Sequence, residues 1–228
     1  MSDYICGHRI LAEMIKQAKI RIVRIEKDFP VNEFDNKNWR TADEITVQKY
    51  WSNEIAPVGR HFKAKLLWSD AALYVRFCAN QTEPLIVSGA LNLESKTIGL
   101  WERDVCEIFV APDKNNPQKY FEFEIAPSGE WLDLAIHQMP NGRETDFGYD
   151  SEMRTSARVE KDKVLMTTKI DWRAFGKTPK TGDIWLGNIL RCVGAGETRG
   201  YLTWQPTLTK EPSFHVPEKF GEFLFVKF

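Results

Sequence analysis

Hydrophobic and polar residues alternate with a period of two along most of the chain. Successive side chains of a β-strand point to opposite faces, so this alternation predicts strands with one buried face. The segments that show it are residues 61–68, 73–79, 105–111, 120–125, 131–137, 155–160, 164–170, 184–193 and 222–227. This succession, with little helical periodicity between its members, predicts an all-β fold.

The first 28 residues follow a different pattern. One helical stripe carries Ile10, Leu11, Met14, Ile15 and Ala18, which predicts a short amphipathic helix. Residues 19–25 then alternate and predict a strand. We interpret residues 1–28 as an N-terminal extension of helix plus strand, with the helix outside the core.

Polar turns join the predicted strands. Ser69 and Asp70 favour a turn after residues 61–68, and Gly129 in Pro127-Ser-Gly can adopt the positive φ that many hairpins need. Short strands and polar turns predict an antiparallel β-sandwich of immunoglobulin-like or jelly-roll-like type, built from two packed sheets. No linker-like tract or internal repeat interrupts the chain, so we predict a single domain over residues 1–228.

Composition narrows the function classes. The chain has 228 residues, of which 43% are hydrophobic, and a formal net charge of −1. Charges of both signs are scattered, which argues against a nucleic-acid surface because such a surface needs a basic stripe. No apolar run approaches ~18 residues, so no membrane span is predicted.

The cysteines and the N-terminus add two further constraints. Cys6, Cys78, Cys106 and Cys192 have no C-x-x-C spacing, which disfavours a zinc ribbon, a redox pair or covalent haem attachment. The N-terminus has no apolar h-region of ~7–15 residues, so the sequence as given shows no secretory signal. Localisation stays open, because a leader could have been removed.

The two faces of neighbouring predicted strands differ in chemistry. In residues 105–111, Cys106, Ile108 and Val110 share one face, and Glu107 lies on the other. In residues 120–125, the face with Glu122 carries Tyr and Glu only. Such a face is expected to meet water or a ligand, and Glu107 and Glu122 would share it if the strands are neighbours.

Residues 101–110 carry the clearest candidate chemistry. Trp101 precedes two carboxylates, Asp104 and Glu107, by three and six residues. An indole offers a flat apolar face and a carboxylate accepts hydrogen bonds from hydroxyl groups, which together match a sugar ring. The alternative is a buried Trp beside solvated acids. We expect Trp101 instead at the rim of a pocket shared with Glu107 and Asn188, because it lies in a loop before the strand.

The ordered series of motifs resembles a known family. After residues 101–113 come Tyr120-Phe-Glu-Phe-Glu-Ile-Ala-Pro-Ser-Gly-Glu-Trp-Leu-Asp133, then 203–207 and 214–225. This order, from about Phe34 to Phe228, resembles the family 9 carbohydrate-binding modules and family-9-like bacterial proteins. The resemblance implies a β-sandwich that binds sugars without catalysis, found alone or beside glycan-degrading enzymes and often exported.

The resemblance also implies roles for particular residues. Trp101 would stack on a terminal sugar, Glu107 would accept hydroxyl hydrogen bonds, and Asn188 would contact the sugar. Two positions depart from the family pattern: Arg191 stands where a second aromatic is expected, and Glu122 replaces a basic residue. Arg191 would then pair with an acidic sugar group or with Glu122. Trp204 is a candidate for the missing ring, although burial is its more ordinary role.

Several alternatives remain open at this level. Glu107, Glu122, Glu124, Glu130 and Asp133 would suffice for a glycoside hydrolase pair, but no hydrolase motif accompanies them. An interaction domain whose sugar site has lost its function is another alternative, because Arg191 stands where the family has a second aromatic residue. We predict no enzyme activity and, as partners, mono-, oligo- or polysaccharides and a glycoside hydrolase.

Haem and calcium are the two cofactors for which the sequence offers candidate ligands. Related sandwich domains hold haem between a Met and a His, for which the chain offers Met139, Met153, Met166, His61, His137 and His215. His137 and Met139 lie too close on one strand to flank a single iron. No cofactor is predicted, except that Asp113, Asn115 and Asn116 have side-chain oxygens suited to the structural calcium that the family resemblance implies.

Overall fold

The computed structural model describes residues 18–227. Almost all regular structure within this range is β-strand, which confirms the predicted all-β class. The predicted helix over residues 8–18 lies outside the described residues, apart from its last position. Within residues 18–227, no helix is long and apolar enough to cross a membrane.

Thirteen strands lie within the described residues. They are β1 (Lys19–Arg24), β2 (Glu44–Val47), β3 (Phe62–Trp68), β4 (Ala72–Asn80), β5 (Val105–Ala111), β6 (Lys119–Ile125), β7 (Trp131–Met139), β8 (Gly142–Asp146), β9 (Arg154–Val159), β10 (Lys163–Asp171), β11 (Ile184–Val193), β12 (Gly200–Thr203) and β13 (Gly221–Val226). Single 3₁₀ turns lie at Lys37–Arg40, Val58–Arg60, Leu100–Glu102, Trp172–Phe175, Gly196–Thr198 and Pro217–Lys219.

The strands form one continuous sheet that curls over itself. Its order is β8-β7-β6-β5-β11-β13-β1-β3-β4-β10-β9, with β12 paired to β11 and β2 paired to β3. The half that contains β5, β6 and β11 and the half that contains β3, β4 and β10 enclose a shared core. The sandwich prediction therefore holds, but the expectation of two separate sheets is wrong because β13 and β1 join the halves.

The strand predicted over residues 19–25 is β1, and it lies at this junction. β1 pairs in parallel with β13 on one side and with β3 on the other, whereas the other paired strands are antiparallel. Ile20 and Ile22 point into the main core. β1 is thus a central strand of the sheet and not an appendage, because its apolar face is needed to close the core.

The main core is rich in aromatic rings. Trp185 on β11 is fully buried and meets Phe225 on β13 with ring centroids 5.0 Å apart and Trp172 at 5.8 Å. Aromatic residues bury large apolar areas and favour such tilted or edge-on arrangements. This packing holds the two halves of the curled sheet together.

A second apolar layer covers the outer face of β5, β6, β7 and β11. It contains Phe109, Tyr120 and Leu134 from the strands, and Leu100, Phe214 and Phe220 from loops that fold over them. The face of β6 that carries Tyr120 and Glu122 was expected to be open to water or ligand. It is instead largely covered, because these loops provide a second apolar layer there.

The structure confirms both predicted turns. The Ser69 hydroxyl accepts hydrogen bonds from the backbone N–H groups of Ala71 and Ala72 between β3 and β4. Gly129 has a φ of 88° in the hairpin between β6 and β7. Strands β2, β8 and β12 were not predicted, because each has only four or five residues, and β8 and β12 also lack a clear apolar alternation.

Gly187 allows β11 to lie close to its neighbours. A Cβ atom at this position would lie 2.2 Å from Phe223 Cε2 and 2.3 Å from the carbonyl oxygen of Phe109. We predict that Gly187→Ala lowers the free energy of unfolding by about 1–3 kcal/mol, as overpacking of a core usually does. Urea unfolding would measure this, with Gly89→Ala as the control, since a Cβ there meets nothing within 4 Å. Equal stability of the two variants would contradict the prediction.

Candidate functional site

One cavity opens on the outer face of β5, β6, β7 and β11, beside the second apolar layer. Its volume is about 570 Å³. The lining residues combine aromatic rings, carboxylates and two arginines: Trp101, Glu102, Glu107, Glu122, Leu134, Arg143, Thr145, Phe147, Cys192, Arg199, Tyr201, Pro212, Ser213, Phe214 and His215. The size and the mixture of aromatic and polar groups are typical of a small-molecule pocket.

Trp101 lies at the rim of this cavity. It belongs to the 3₁₀ turn Leu100–Glu102, in which Leu100 is fully buried in the second apolar layer and anchors the turn. Trp101 itself is 37% exposed, so the indole contacts both the cavity and solvent. An exposed aromatic ring held on an anchored turn is suited to stack on a flat apolar ligand face.

Arg199 fixes the backbone that carries Trp101. Its guanidinium donates hydrogen bonds to the carbonyl oxygens of Trp101, Glu102, Arg103 and Gly194, the last three at 3.0, 2.9 and 2.9 Å. The same guanidinium lies 5.5 Å from the centre of the Tyr201 ring. Arg199 is therefore a positioning residue for the rim, and no local sequence motif pointed to it.

Three glutamates lie side by side below the rim. In the sheet register, Glu107 of β5 pairs with Glu124 of β6. Glu122 of β6 pairs with Phe109 of β5, which lies two residues after Glu107 and on the same face of the strand. Carboxylate oxygens of Glu107, Glu122 and Glu124 all lie within 4.8 Å of one another. Glu107 and Glu122 line the cavity, as expected if β5 and β6 are neighbours, and Glu124 completes the cluster.

These carboxylates are almost completely removed from solvent. Glu107 is 2% exposed, Glu122 4% and Glu124 0%. Burial raises the pKa of Glu107 to about 8, with repulsion from Glu122 adding to the effect, and raises the pKa of Glu122 to about 7. Burial together with repulsion from Glu107 and Glu122 also raises the pKa of Glu124 well above its usual range. Sequence reasoning had not marked any acid as perturbed.

Few donors reach the cluster. The Cys192 thiol lies 3.4 Å from Glu107 Oε1 and donates to it. Both Glu124 oxygens and Glu122 Oε2 are buried without a hydrogen-bond partner among residues 18–227. Two carboxyl groups can bond to each other only if one carries a proton, so as carboxylates Glu122 and Glu124 cannot satisfy each other's oxygens.

His215 forms part of another wall. Its Nδ1 lies 2.8 Å from the Tyr120 hydroxyl, and its ring stacks on Phe109 with centroids 5.2 Å apart. Burial lowers the pKa of His215 to about 3, with a smaller effect from Arg143. His215 is thus neutral near pH 7 and holds the closing loop against Phe109 and Tyr120.

Additional aromatic residues line the cavity. Phe147 follows β8 and is 49% exposed, Tyr201 is half-buried on β12, and Phe214 is buried. Phe147 is the ring with the greatest exposure among these three. Sequence reasoning missed it because the loop that brings it to the cavity is far from Trp101 along the chain.

Asp104 does not line the cavity. It is 1% exposed and accepts hydrogen bonds from the backbone N–H groups of Gly194 at 2.8 Å and Ile86 at 3.2 Å. Burial raises the pKa of Asp104, although those two hydrogen bonds oppose the shift. Asp104 ties neighbouring loops to the start of β5 outside this cavity, so a sugar contact by Asp104 stays a prediction.

Asn188 and Arg191 on β11 are also outside the cavity. Asn188 is fully buried, and its amide donates to the Gln205 carbonyl and accepts from the Gln205 and Ile189 N–H groups. Arg191 lies on the opposite face of the sheet and donates to the Arg60 and Asn80 carbonyls and to Gln81 Oε1. The expected Arg191–Glu122 pair is wrong, because strand alternation places Arg191 on the core face of β11. Asn188 lies on the same face of the sheet as Glu107, but its amide is engaged by Gln205 and Ile189, so its contact with a sugar stays a prediction.

Trp204 cannot supply a ring to this cavity. It is half-buried and stacks on Phe223 with centroids 5.9 Å apart, beside Gly221 and near Ile20 and Ile45. Its place at the edge of the main core agrees with the more ordinary role. The Trp204 backbone N–H donates to the Ile189 carbonyl at 2.8 Å, and the ring directly after β12 packs towards β13.

The cofactor candidates are dispersed. Met153 and Met166 are buried in the main core, whereas His215 lies at the cavity. Asp113 Oδ1 accepts a hydrogen bond from the Asn115 N–H in an ordinary turn, so a calcium ion at this loop stays a prediction.

The buried carboxylates should make stability depend on pH. The pKa of Glu107 is about 8 in the folded protein, against 4.5 for an ordinary glutamate. The protonated carboxyl group therefore stabilises the folded state fully below about pH 4.5, and this contribution is lost as the pH rises towards 8. We predict that Glu124→Gln weakens this loss of stability, because it removes one buried charge. Thermal unfolding in metal-free buffer from pH 5 to pH 8 would test it. An identical pH profile in Glu124→Gln would contradict the prediction, and exposed Glu94→Gln is the control.

Comparisons with known proteins agree with this fold. A proposed carbohydrate-binding protein from Bacteroides uniformis superimposes with a TM-score of 0.72 at 15% identity, covering 92% of this chain and 100% of that one. A family 9 carbohydrate-binding module from Caldicellulosiruptor kristjanssonii in complex with cellotriose gives a TM-score of 0.66 at 16% identity, covering 92% and 95%. The glucose complex of a family 9 module from the same organism gives 0.65 at 16%, covering 91% and 96%.

No curated protein matches the chain in sequence. The sequence profile of a family does match, over residues 33–227. That range includes Trp101, the three glutamates and the loops that close the cavity. The chain belongs to the family described as carbohydrate family 9 binding domain-like.

Proposed function

We propose that the cavity binds a carbohydrate without chemically changing it. The observation that carries this proposal is the half-exposed Trp101 ring at the rim of a cavity lined by Glu107 and Glu122. A sugar presents apolar C–H faces and a rim of hydroxyl groups, so it matches an aromatic ring beside carboxylates.

The family relationship supports the same ligand class. Two structures with the same fold, both from Caldicellulosiruptor kristjanssonii, hold cellotriose and glucose. A sequence identity of 16% supports the same fold for this chain, but it does not identify the sugar that the chain binds. The ligand is accordingly proposed as a mono-, oligo- or polysaccharide, and a glycoside hydrolase is the proposed partner in glycan degradation.

The proposed contacts are assigned from the position of the side chains that line the cavity and from how exposed they are. Trp101 stacks on the sugar ring, while Glu107 and Glu122 accept hydrogen bonds from its hydroxyl groups. Phe147 is the best-placed candidate for a second aromatic contact, because it is exposed on the cavity wall whereas Arg191 lies on the opposite face. The comparable stacking of a nucleic-acid base on an aromatic side chain is worth about 1–3 kcal/mol.

Replacement of Trp101 tests the proposal directly. We predict that Trp101→Ala weakens binding to the best ligand of a glycan array at least about tenfold, since a stacking platform is lost. The melting temperature should change little, because Trp101 is not in either apolar core.

Trp204→Ala is the matched control. It should lower the melting temperature, because Trp204 packs on Phe223, but it should leave glycan affinity unchanged. Unfolding of Trp101→Ala, or undiminished binding by it, would refute the proposed role of Trp101. An array without any bound glycan would count against the function as a whole.

Glycoside hydrolysis is a second candidate, favoured by the raised pKa values of Glu107 and Glu122. A hydrolase needs one carboxyl group held protonated, but its two carboxyl groups flank the scissile bond at ~5–9.5 Å. Here one oxygen atom from each of the three acids lies within 4.8 Å of the others, and the acids stand side by side on one face of two adjacent strands instead of facing each other across a substrate. This arrangement favours binding over bond cleavage.

We therefore expect no turnover of nitrophenyl glycosides or of a polysaccharide panel. Product release would be measured over long incubations, with Glu107→Gln in parallel. Hydrolysis by the wild-type protein that disappears in Glu107→Gln would establish the enzyme and overturn the binding-only proposal.

A further inference from the structure

The three glutamates have the spacing of a cation site. Oxygen atoms of Glu107, Glu122 and Glu124 lie within 4.8 Å of one another. Calcium binds carboxylate oxygens at about 2.3–2.6 Å, so two ligands on opposite sides of one ion lie about 4.6–5.2 Å apart. One ion can therefore contact all three carboxylates without a movement of the strands.

A second observation points to a ligand independently of this spacing. Glu122 Oε2 and both oxygens of Glu124 are buried and have no hydrogen-bond partner within the described part of the chain. Buried polar atoms are normally paired, and an unpaired one requires an explanation. A proton shared between Glu122 and Glu124 would satisfy one oxygen of each and would leave the third atom unpaired.

The nearby arginines do not neutralise the cluster by direct pairing. The Arg199 guanidinium is directed to the carbonyl oxygens of Trp101, Glu102, Arg103 and Gly194. Arg143 lines the cavity but is exposed. Isolated buried charges are costly, and proteins usually hold them with a partner ion or a metal.

We propose that Glu107, Glu122 and Glu124 bind a divalent cation of the oxygen-preferring class, with Ca²⁺ as its representative. Carboxylates are the ligands that such hard cations prefer, and neither His nor Cys is needed. Glu124 holds the ion from the buried side, while Glu107 and Glu122 reach the cavity. The remaining coordination positions face the cavity and take water or ligand hydroxyl groups.

This cation site goes beyond the proposed carbohydrate binding and can be tested without a sugar. Chelator-treated protein would be titrated with CaCl₂ by calorimetry, and its melting temperature would be followed as Ca²⁺ increases. We expect Ca²⁺ binding and a rising melting temperature, because a ligand that binds only the folded state stabilises it.

Glu124→Gln is the critical variant, because Glu124 does not line the cavity and loses its charge with little change of shape. It should lower the affinity of this site for Ca²⁺ at least tenfold and abolish the associated rise in melting temperature. Asp113→Asn, in the exposed turn after β5, is the matched control and should bind Ca²⁺ as the wild type does. If Glu124→Gln does not fold, Glu122→Gln replaces it with the same expectation.

Three results would overturn the proposal. The first is wild-type protein that shows no heat or thermal shift with Ca²⁺, Mg²⁺ or Mn²⁺. The second is a Glu124→Gln variant that binds Ca²⁺ undiminished, and the third is loss of binding in Asp113→Asn, which would place the ion in the loop. A negative glycan array with intact Ca²⁺ binding would reject the carbohydrate proposal alone.

Discussion

The alternation of side chains along β5 is the constraint on which the site depends. Cys106, Ile108 and Val110 fill the main core, and the geometry of a strand then forces Glu107 to the opposite face. A one-residue shift would place the carboxylate in the core and expose the apolar residues. The register with β6 adds Glu124 beside Glu107, so a carboxylate cluster follows from the same pairing that builds the sandwich.

The glutamate cluster is unusual because loops cover the outer face of β5, β6, β7 and β11, on which it lies. Leu100, Phe214 and Phe220 come from loops and cover the strands, which removes the glutamates from water. The same turn that buries Leu100 exposes Trp101. Burial of charge and exposure of an aromatic ring are therefore two results of one loop conformation, which Arg199 holds through backbone carbonyl groups.

Charged groups elsewhere serve the architecture. Arg191 satisfies carbonyl groups of Arg60 and Asn80 on the core side of β11, and Asp104 satisfies N–H groups of Ile86 and Gly194. Both are buried, and a buried charge is tolerable when hydrogen bonds replace its hydration. This distinguishes them from Glu124, whose oxygens have no such bonds within the described residues.

The all-β class and the strands with strong apolar alternation could be predicted from the sequence, because a period of two is a local property. The shared face of Glu107 and Glu122 could be predicted only on the condition that β5 and β6 are neighbours. The family resemblance added Trp101 as a rim residue. The folded arrangement was needed to see that β1 joins the sheet halves and that Phe147 and Arg199 reach the cavity. It was also needed to see that Asp104, Asn188, Arg191 and Trp204 do not line the cavity. Those outcomes depend on pairings and loop positions between residues far apart in the chain, and no local pattern of side chains encodes them.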